Sequence, residues 1–267
     1  MRNVFITTVA AMAISTAVMA EDTVTKVQAP VAPVLSGEVS LDFAETANDK
    51  IGGTMNLDLG VDMGGLATVD LNFEATDGNA ITLDTWAVGT TVAGVGVAVG
   101  DDLGVMPGAE GEQTLAAPAM AEAVQVTVGD AVVAVGLTDW TADITDISNI
   151  QGAYTLNIAS LDVTAAADYN MDSENTVLGA GVAGIDLGVA SLGGAATYDM
   201  DAEVFGFEGV VTSGGITAYL NGDDTDALQN IGGEYEINAA GVKWAAGANY
   251  NVDTEDFAPT ASVSFSF

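Results

Sequence analysis

The sequence contains neither cysteine nor histidine anywhere in its 267 residues. A chain of this composition lacks the thiol nucleophile, the imidazole general base and two of the side chains that most often bind transition metals. Disulfide bonds are excluded as well. The 38 carboxylates are so numerous that pairs arise by chance, and no pair stands out as catalytic. We therefore expect no enzymatic activity and no tightly bound cofactor.

Positive charge is almost as scarce, because the chain has four basic residues, Arg2, Lys26, Lys50 and Lys243. Against 38 acidic residues these leave a formal net charge of −34. A nucleic-acid partner is excluded, since nothing would neutralise its phosphates. The chain is nevertheless 49% hydrophobic with a mean hydropathy of +0.36, which excludes an acidic disordered tail.

Long hydrophobic runs are absent except at the N-terminus. There, Arg2 precedes an apolar run from Val4 to Val18 that closes on the small-residue pattern Val18-Met19-Ala20. This pattern predicts a secretory signal peptide over residues 1–20, because the run is too short for a spanning helix. The proline-containing residues 21–33 predict a short extended leader.

From residue 34 onward, hydrophobic residues alternate with polar ones. In LATVDLNFEAT (66–76), for example, Val69 and Leu71 alternate with Asp70 and Asn72. Successive side chains of a strand point to opposite faces, so each such stretch is a strand with one apolar and one polar face. The alternation predicts about sixteen strands, over residues 34–45, 51–62, 66–76, 80–90, 94–100, 123–129, 131–138, 150–159, 161–170, 176–187, 189–199, 203–212, 215–222, 228–238, 241–252 and 257–267.

Two kinds of connection alternate between these strands. One kind is short and made of small residues, such as MGG (63–65) and GD (129–130). The other is longer and acidic, such as DWTADITDISN (139–149) and GDDTDA (222–227). In an up-and-down meander, alternate connections lie at opposite ends. The sequence therefore predicts an all-β, closed, antiparallel, up-and-down transmembrane β-barrel over residues 34–267, since closure leaves no unpaired strand edge.

The polarity of such a barrel follows from the alternation. The apolar face meets lipid, the polar face lines water, and sixteen strands leave an aqueous channel. We expect the lining to include Asp42, Asp58, Asp70, Glu74 and Lys243. Aromatic residues near strand ends are expected to form interfacial girdles, namely Phe43, Phe73, Tyr169, Tyr198, Tyr235, Trp244 and Tyr250.

The chain resembles the general porins of Gram-negative bacteria, most of all the compact porins of alphaproteobacteria. The resemblance rests on the signal peptide, the sixteen-strand alternation, the terminal SVSFSF (262–267) and VGVAVGDDLG (95–104) before a long interruption. It implies a homotrimer in the outer membrane, in contact with lipid and lipopolysaccharide, with the tight turns and the leader in the periplasm. It also implies that Phe265 and Phe267 form the signal read by the barrel-assembly machinery.

In porins the third long loop folds into the lumen and narrows it, and here the longest connection, Asp101 to Ala123, has that position. Small residues on the fifth and seventh strands would leave room for it, namely Gly94, Gly96, Ala98, Ala134 and Gly136. The resemblance implies a constriction lined by Asp101, Asp102, Glu110, Glu112 and Glu122. The porin eyelet sets acids against arginines, whereas no arginine follows Arg2 here. We therefore expect a cation-preferring diffusion channel for small hydrophilic solutes.

Two other functions remain open. One is a structural or adhesive outer-membrane barrel without useful conductance, and the other is a secreted, acidic, calcium-binding β-solenoid. An EF-hand beginning at Asp168 is excluded, because Ser173 stands where glycine is required and Gly179 where the bidentate glutamate belongs. Loose binding of Ca²⁺ or Mg²⁺ by acidic loops such as DMDAE (199–203) remains an expectation.

Overall fold

The structure is a computed structural model that describes residues 32–46, 50–76, 80–101, 103–107, 120, 122–139, 143–159, 161–225 and 228–267. The predicted signal peptide, residues 1–20, and residues 21–31 of the predicted leader lie outside the described residues.

Sixteen β-strands make up most of the described part of the chain. In chain order they are β1 Val34–Thr46, β2 Lys50–Asp62, β3 Thr68–Thr76, β4 Thr82–Val92, β5 Val95–Gly100, β6 Ala123–Val128, β7 Ala131–Asp139, β8 Asp143–Ile158, β9 Leu161–Asn170, β10 Thr176–Asp186, β11 Ser191–Asp199, β12 Val204–Ser213, β13 Ile216–Asp223, β14 Asn230–Ala239, β15 Val242–Asn251 and β16 Asp256–Ser266. Within the described ranges, no helix is long and apolar enough to cross a membrane.

The sheet closes on itself, because each strand pairs antiparallel with its neighbours in sequence and β1 also pairs with β16. At this seam, Gly37 N donates to Phe267 O at 3.1 Å and Phe267 N donates to Gly37 O at 2.9 Å. The pairing continues along both strands, with Leu41 opposite Val263. The predicted closed up-and-down barrel is confirmed, and the alternative of a β-solenoid is wrong.

The barrel has one polar and one apolar face. Side chains directly opposite each other on antiparallel strands share a face, and Val39 opposite Leu57 is followed by Ser40 opposite Asn56. When these strand pairings are traced around the barrel, Gln151 falls on the same face as the polar side chains. Because Gln151 is fully buried, that polar face is the interior of the barrel. Large apolar side chains are exposed on the outer face, including six of the seven predicted girdle aromatics, Phe43, Tyr169, Tyr198, Tyr235, Trp244 and Tyr250.

The predicted strand ends agree with the structure to within two residues, with one exception. β8 begins at Asp143 and not at residue 150, so the acidic connection predicted over residues 139–149 is wrong. The register between β7 and β8 shifts after Gly136 and again after Leu137. Such β-bulges insert unpaired residues and break the period-2 alternation on which the prediction depended.

Three of the acidic connections share one turn. Asn170, Asp199 and Asn251 each end a strand, and the Oδ1 atom of each accepts backbone N–H bonds from the residues two and three positions later, at 2.9–3.1 Å. A glutamate with positive φ follows at the fifth position of each turn, namely Glu174, Glu203 and Glu255. The amide oxygen of Asn170 is thus used by the turn. Among the described residues, no group of three or more carboxylates is arranged to hold a metal ion.

A buried side-chain hydrogen bond joins β8 to β9. Asn149, which is 3% exposed, donates from Nδ2 to Asp168 Oδ1 of β9 at 2.9 Å, and Asp168 is 1% exposed. Near the other end of the same two strands, Asn157 makes an exposed bond of the same type to Asp162 at 2.8 Å. The two pairs differ in burial, and also in register, because Asn157 lies directly opposite Asp162 whereas Asn149 reaches Asp168 diagonally.

We expect the substitution Asn149→Leu to lower the free energy of unfolding by about 1–3 kcal/mol, because it leaves a buried carboxylate without its amide donor. The matched change Asn157→Leu should cost less than about 1 kcal/mol, because water replaces the lost donor. Denaturant unfolding of the barrel in detergent measures both values. Equal losses for the two variants would contradict the effect of burial.

Candidate functional site in the barrel lumen

After β5 the chain leaves the wall and turns into the barrel. Asp101 N donates to Trp86 O at 2.8 Å, which holds the start of this turn against β4. At Gly100 a Cβ atom would overlap the Trp86 carbonyl oxygen and lie 2.6 Å from Ala87 Cα. Glycine at this position therefore permits the close backbone approach that directs the chain inward.

Residues 103–107, which we call the inward segment, cross the interior face of the wall. Gln125 of β6 donates from Nε2 to Leu103 O at 3.1 Å. Val105 N donates to Gln151 Oε1 of β8 at 2.8 Å. The two wall glutamines thus bind complementary backbone groups of the segment, one carbonyl and one amide.

The far end of the inward segment reaches β10. A Cβ on Gly179 would lie 2.9 Å from Met106 Cε, and a Cβ on Gly181 would lie 2.7 Å from Pro107 Cβ. Both glycines belong to the interior face, since Gly179 pairs with Ala166 two residues from the buried Asp168. The side chains of the segment therefore occupy the space that larger residues would fill.

The inward segment packs against a small apolar cluster on the wall. Met120, Ala123 and Ala134 are at most 1% exposed, and Leu103 and Val105 pack against them. Met120 belongs to the returning part of the same connection, so its outgoing and returning parts contact each other on the wall. The predicted inward fold of this connection agrees with its described residues.

The opposite side of the inward turn faces a cluster of carboxylates. Glu38, Asp58, Asp70 and Asp101 line one lumenal cavity of about 530 Å³, together with Leu103 of the inward segment. Some of these carboxylates have polar partners on the wall, and Ser266 Oγ donates to Glu38 Oε2 at 2.9 Å. Within this lining there is no basic residue.

The remaining predicted lining residues lie on the same interior face. Asp42 accepts from Asn56 Nδ2 at 2.8 Å, and Glu74 accepts from Thr76 Oγ1 at 2.6 Å. Lys243 lies with its Nζ 3.6 Å from Glu236 Oε2, so its charge is partly offset by a neighbouring acid.

The five predicted constriction acids have different places. Asp101 lines the acidic cavity, and Glu122 O accepts from Leu137 N at 2.7 Å where the connection rejoins the wall. Asp102, Glu110 and Glu112 lie outside the described residues.

Three residues of the site, Gln125, Gln151 and Glu38, were not predicted from the sequence. Each occupies a polar position in an alternating strand, so the face of each was predictable. The two glutamines are long compared with their alanine neighbours: Gln125 lies between Ala98 and Ala134, and Gln151 lies between Ala134 and Asp168. Strand parity gives the face of both glutamines, whereas their bonds to the inward segment depend on contacts between distant parts of the chain.

Comparison with known proteins identifies the fold. No protein-family model matches the chain, and no curated protein matches it by sequence. Among solved structures, it is similar to a variant of the Rh. blastica porin, at 15% identity and a TM-score of 0.59, covering 88% of this chain and 100% of that one. Salmonella typhi OmpF in complex with daunomycin matches at 10% identity and 0.59, covering 88% and 97%. A loop-deletion mutant of OmpT, an outer membrane protein of Vibrio cholerae, matches at 12% and 0.52, covering 88% and 99%. The chain therefore has the porin fold.

Proposed function

We propose that the protein is a porin, a water-filled diffusion channel for small hydrophilic solutes in the outer membrane of a Gram-negative bacterium. One observation carries the proposal: a closed sixteen-strand barrel whose outer face is apolar and whose inner face is polar. This arrangement suits a lipid exterior and an aqueous lumen, and an ordinary soluble barrel has the opposite polarity. No catalytic role is part of the proposal.

We further propose that the channel prefers cations. The support is the acidic cavity beside the inward segment, where Glu38, Asp58, Asp70 and Asp101 line the same space. Low-dielectric walls focus the field of such carboxylates and raise the local concentration of cations. Asp102, Glu110, Glu112 and Glu122 belong to the same connection as Asp101 and are proposed to extend this negative lining. Lys243 opposes it weakly, because Glu236 lies beside it.

The proposal includes partners that the porin resemblance implies. These are a homotrimeric assembly, the lipid and lipopolysaccharide of the outer membrane, and the barrel-assembly machinery. Ca²⁺ or Mg²⁺ bound loosely at the acidic connections is also part of it.

Reversal potentials across a KCl gradient test the cation preference. We expect a permeability ratio of K⁺ to Cl⁻ above one, largest in dilute salt, because the Debye length falls from ~30 Å at 0.01 M to ~3 Å at 1 M. The triple variant Glu38→Gln, Asp58→Asn, Asp70→Asn should move the ratio toward one. The matched control is Asp172→Asn, Asp201→Asn, Asp253→Asn, which removes three exposed carboxylates from the shared turns and should change it less.

Either of two results would contradict the cation preference: an anion-selective channel, or a selectivity that responds equally to the lumenal and the turn variants. The second result would show that the carboxylates of the acidic cavity do not determine the selectivity. A folded barrel that gave no current at all would favour the structural or adhesive alternative.

Phe267 is proposed as an assembly signal, together with Phe265. Its backbone closes the seam with Gly37, whereas its side chain is 57% exposed on the outer face. The substitution Phe267→Ala keeps both backbone hydrogen bonds, so the heat resistance of the assembled barrel should change little while the yield in the outer membrane falls. Phe257→Ala is the matched control, because Phe257 is 63% exposed at the other end of the same strand.

Heat-modifiable migration on gels and outer-membrane yield are measured for both variants. Normal insertion of Phe267→Ala, or an equal loss for Phe257→Ala, would show that the terminal aromatic is not a specific signal.

A further inference from the structure

One row of interior residues crosses the wall beneath the inward segment. Paired position by position from β5 to β9, the row reads Ala98, Gln125, Ala134, Gln151 and Asp168. Two long amides thus alternate with two alanines at the height where residues 103–107 cross. Ala134 packs against the segment within the apolar cluster, and the two glutamine side chains form hydrogen bonds with its backbone.

The side-chain amides of Gln125 and Gln151 form hydrogen bonds with backbone groups of the segment. A strand in the sheet satisfies its N–H and C=O groups with its neighbours, whereas residues 103–107 pair with none of the described strands. Its buried backbone groups therefore need side-chain or water partners. Gln125 supplies a donor to Leu103 O at 3.1 Å, and Gln151 supplies an acceptor to Val105 N at 2.8 Å.

Hydrogen bonds are directional, so these two part-buried bonds constrain where the segment can lie. Gln151 has no exposed surface, so its side chain is fixed by its surroundings. The apolar contacts of Leu103 and Val105 with Met120 and Ala134 are not directional and permit sliding along the wall. Two hydrogen bonds of opposite sense, two residues apart, fix both the register and the height of the segment.

We propose that Gln125 and Gln151, the glutamine pair, are positioning residues that hold the inward segment on the wall and thereby set the width of the lumen. The consequence for conductance rests on the proposed channel function, whereas the attachment itself does not. Loss of either bond frees the segment to move into the lumen. The channel then fluctuates between levels of current.

The attachment is tested by thiol labelling, for which the chain is well suited because it has no cysteine. A Val105→Cys variant places one thiol in the segment and keeps the backbone N–H that Gln151 accepts. In the folded barrel, this thiol should react slowly with a membrane-impermeant reagent, because it packs against the wall. Adding Gln125→Met or Gln151→Met, each similar in volume, should raise the rate roughly tenfold by local opening.

Substitutions at position 125 show whether faster labelling results from loss of the hydrogen bond or from the changed shape of the side chain. Gln125→Lys keeps a donor for Leu103 O and should label at a rate near that of the parent, whereas Gln125→Glu has no donor and should label as fast as Gln125→Met. The neutral methionine and the negative glutamate then agree, which excludes charge as the cause. Gln229→Met is the matched control, because Gln229 donates to Asp223 Oδ2 at 2.7 Å, near the turns and away from the segment.

Single-channel recordings of the same variants test the consequence. The two methionine variants should show added current levels and a raised open-channel noise, and Gln125→Lys and Gln229→Met should not. If the methionine variants label faster but the parent variant, Val105→Cys, carries no current, the proposed attachment is retained and the proposed channel function is overturned. Methionine variants that label at the parent rate, or a lysine variant that labels as fast as the methionine variant, would overturn the attachment.

Discussion

Backbone N–H and C=O groups that face an apolar surrounding must find partners within the protein, and the seam between β1 and β16 extends this pairing to the whole sheet. Without that seam, two strands would present unpaired edges. The hydrogen bonds between Gly37 and Phe267 belong to this seam and join parts of the sheet that are far apart in the sequence. Closure of the barrel therefore requires β16, which pairs with β15 on one side and with β1 on the other.

Closure also decides what the interior can contain. Because the outer face takes the apolar side chains, the inner face takes the carboxylates and amides of an acidic chain. Where the wall carries the small residues Ala134, Gly179 and Gly181, the inward segment lies on it. Where the wall carries Glu38, Asp58 and Asp70, the lumen stays open as a cavity. The same alternation thus produces a narrow side and a charged side of one channel.

The sequence predicted the fold well because period-2 alternation and turn composition are local signals, and all sixteen strands were located from them. It failed at β8, where the bulges beside Gly136 and Leu137 break the alternation and the acidic Asp143 and Asp146 resemble a loop. The lining residues Asp42, Asp58 and Asp70 follow from strand parity alone. The bonds of Gln125 and Gln151 to the inward segment depend on contacts between distant parts of the chain, and no local pattern encodes these. Glu38, in contrast, stands at a predictable polar position.

The central claim is that the barrel encloses a continuous aqueous path, and single-channel recording in a planar bilayer tests it most directly. Purified protein whose folded state has been verified by heat-modifiable migration is added to one side of a lipid bilayer in KCl. A water-filled lumen should give discrete, stepwise increases in current that scale with the conductivity of the salt solution. A folded barrel that inserts into the bilayer without any steps in current would contradict it.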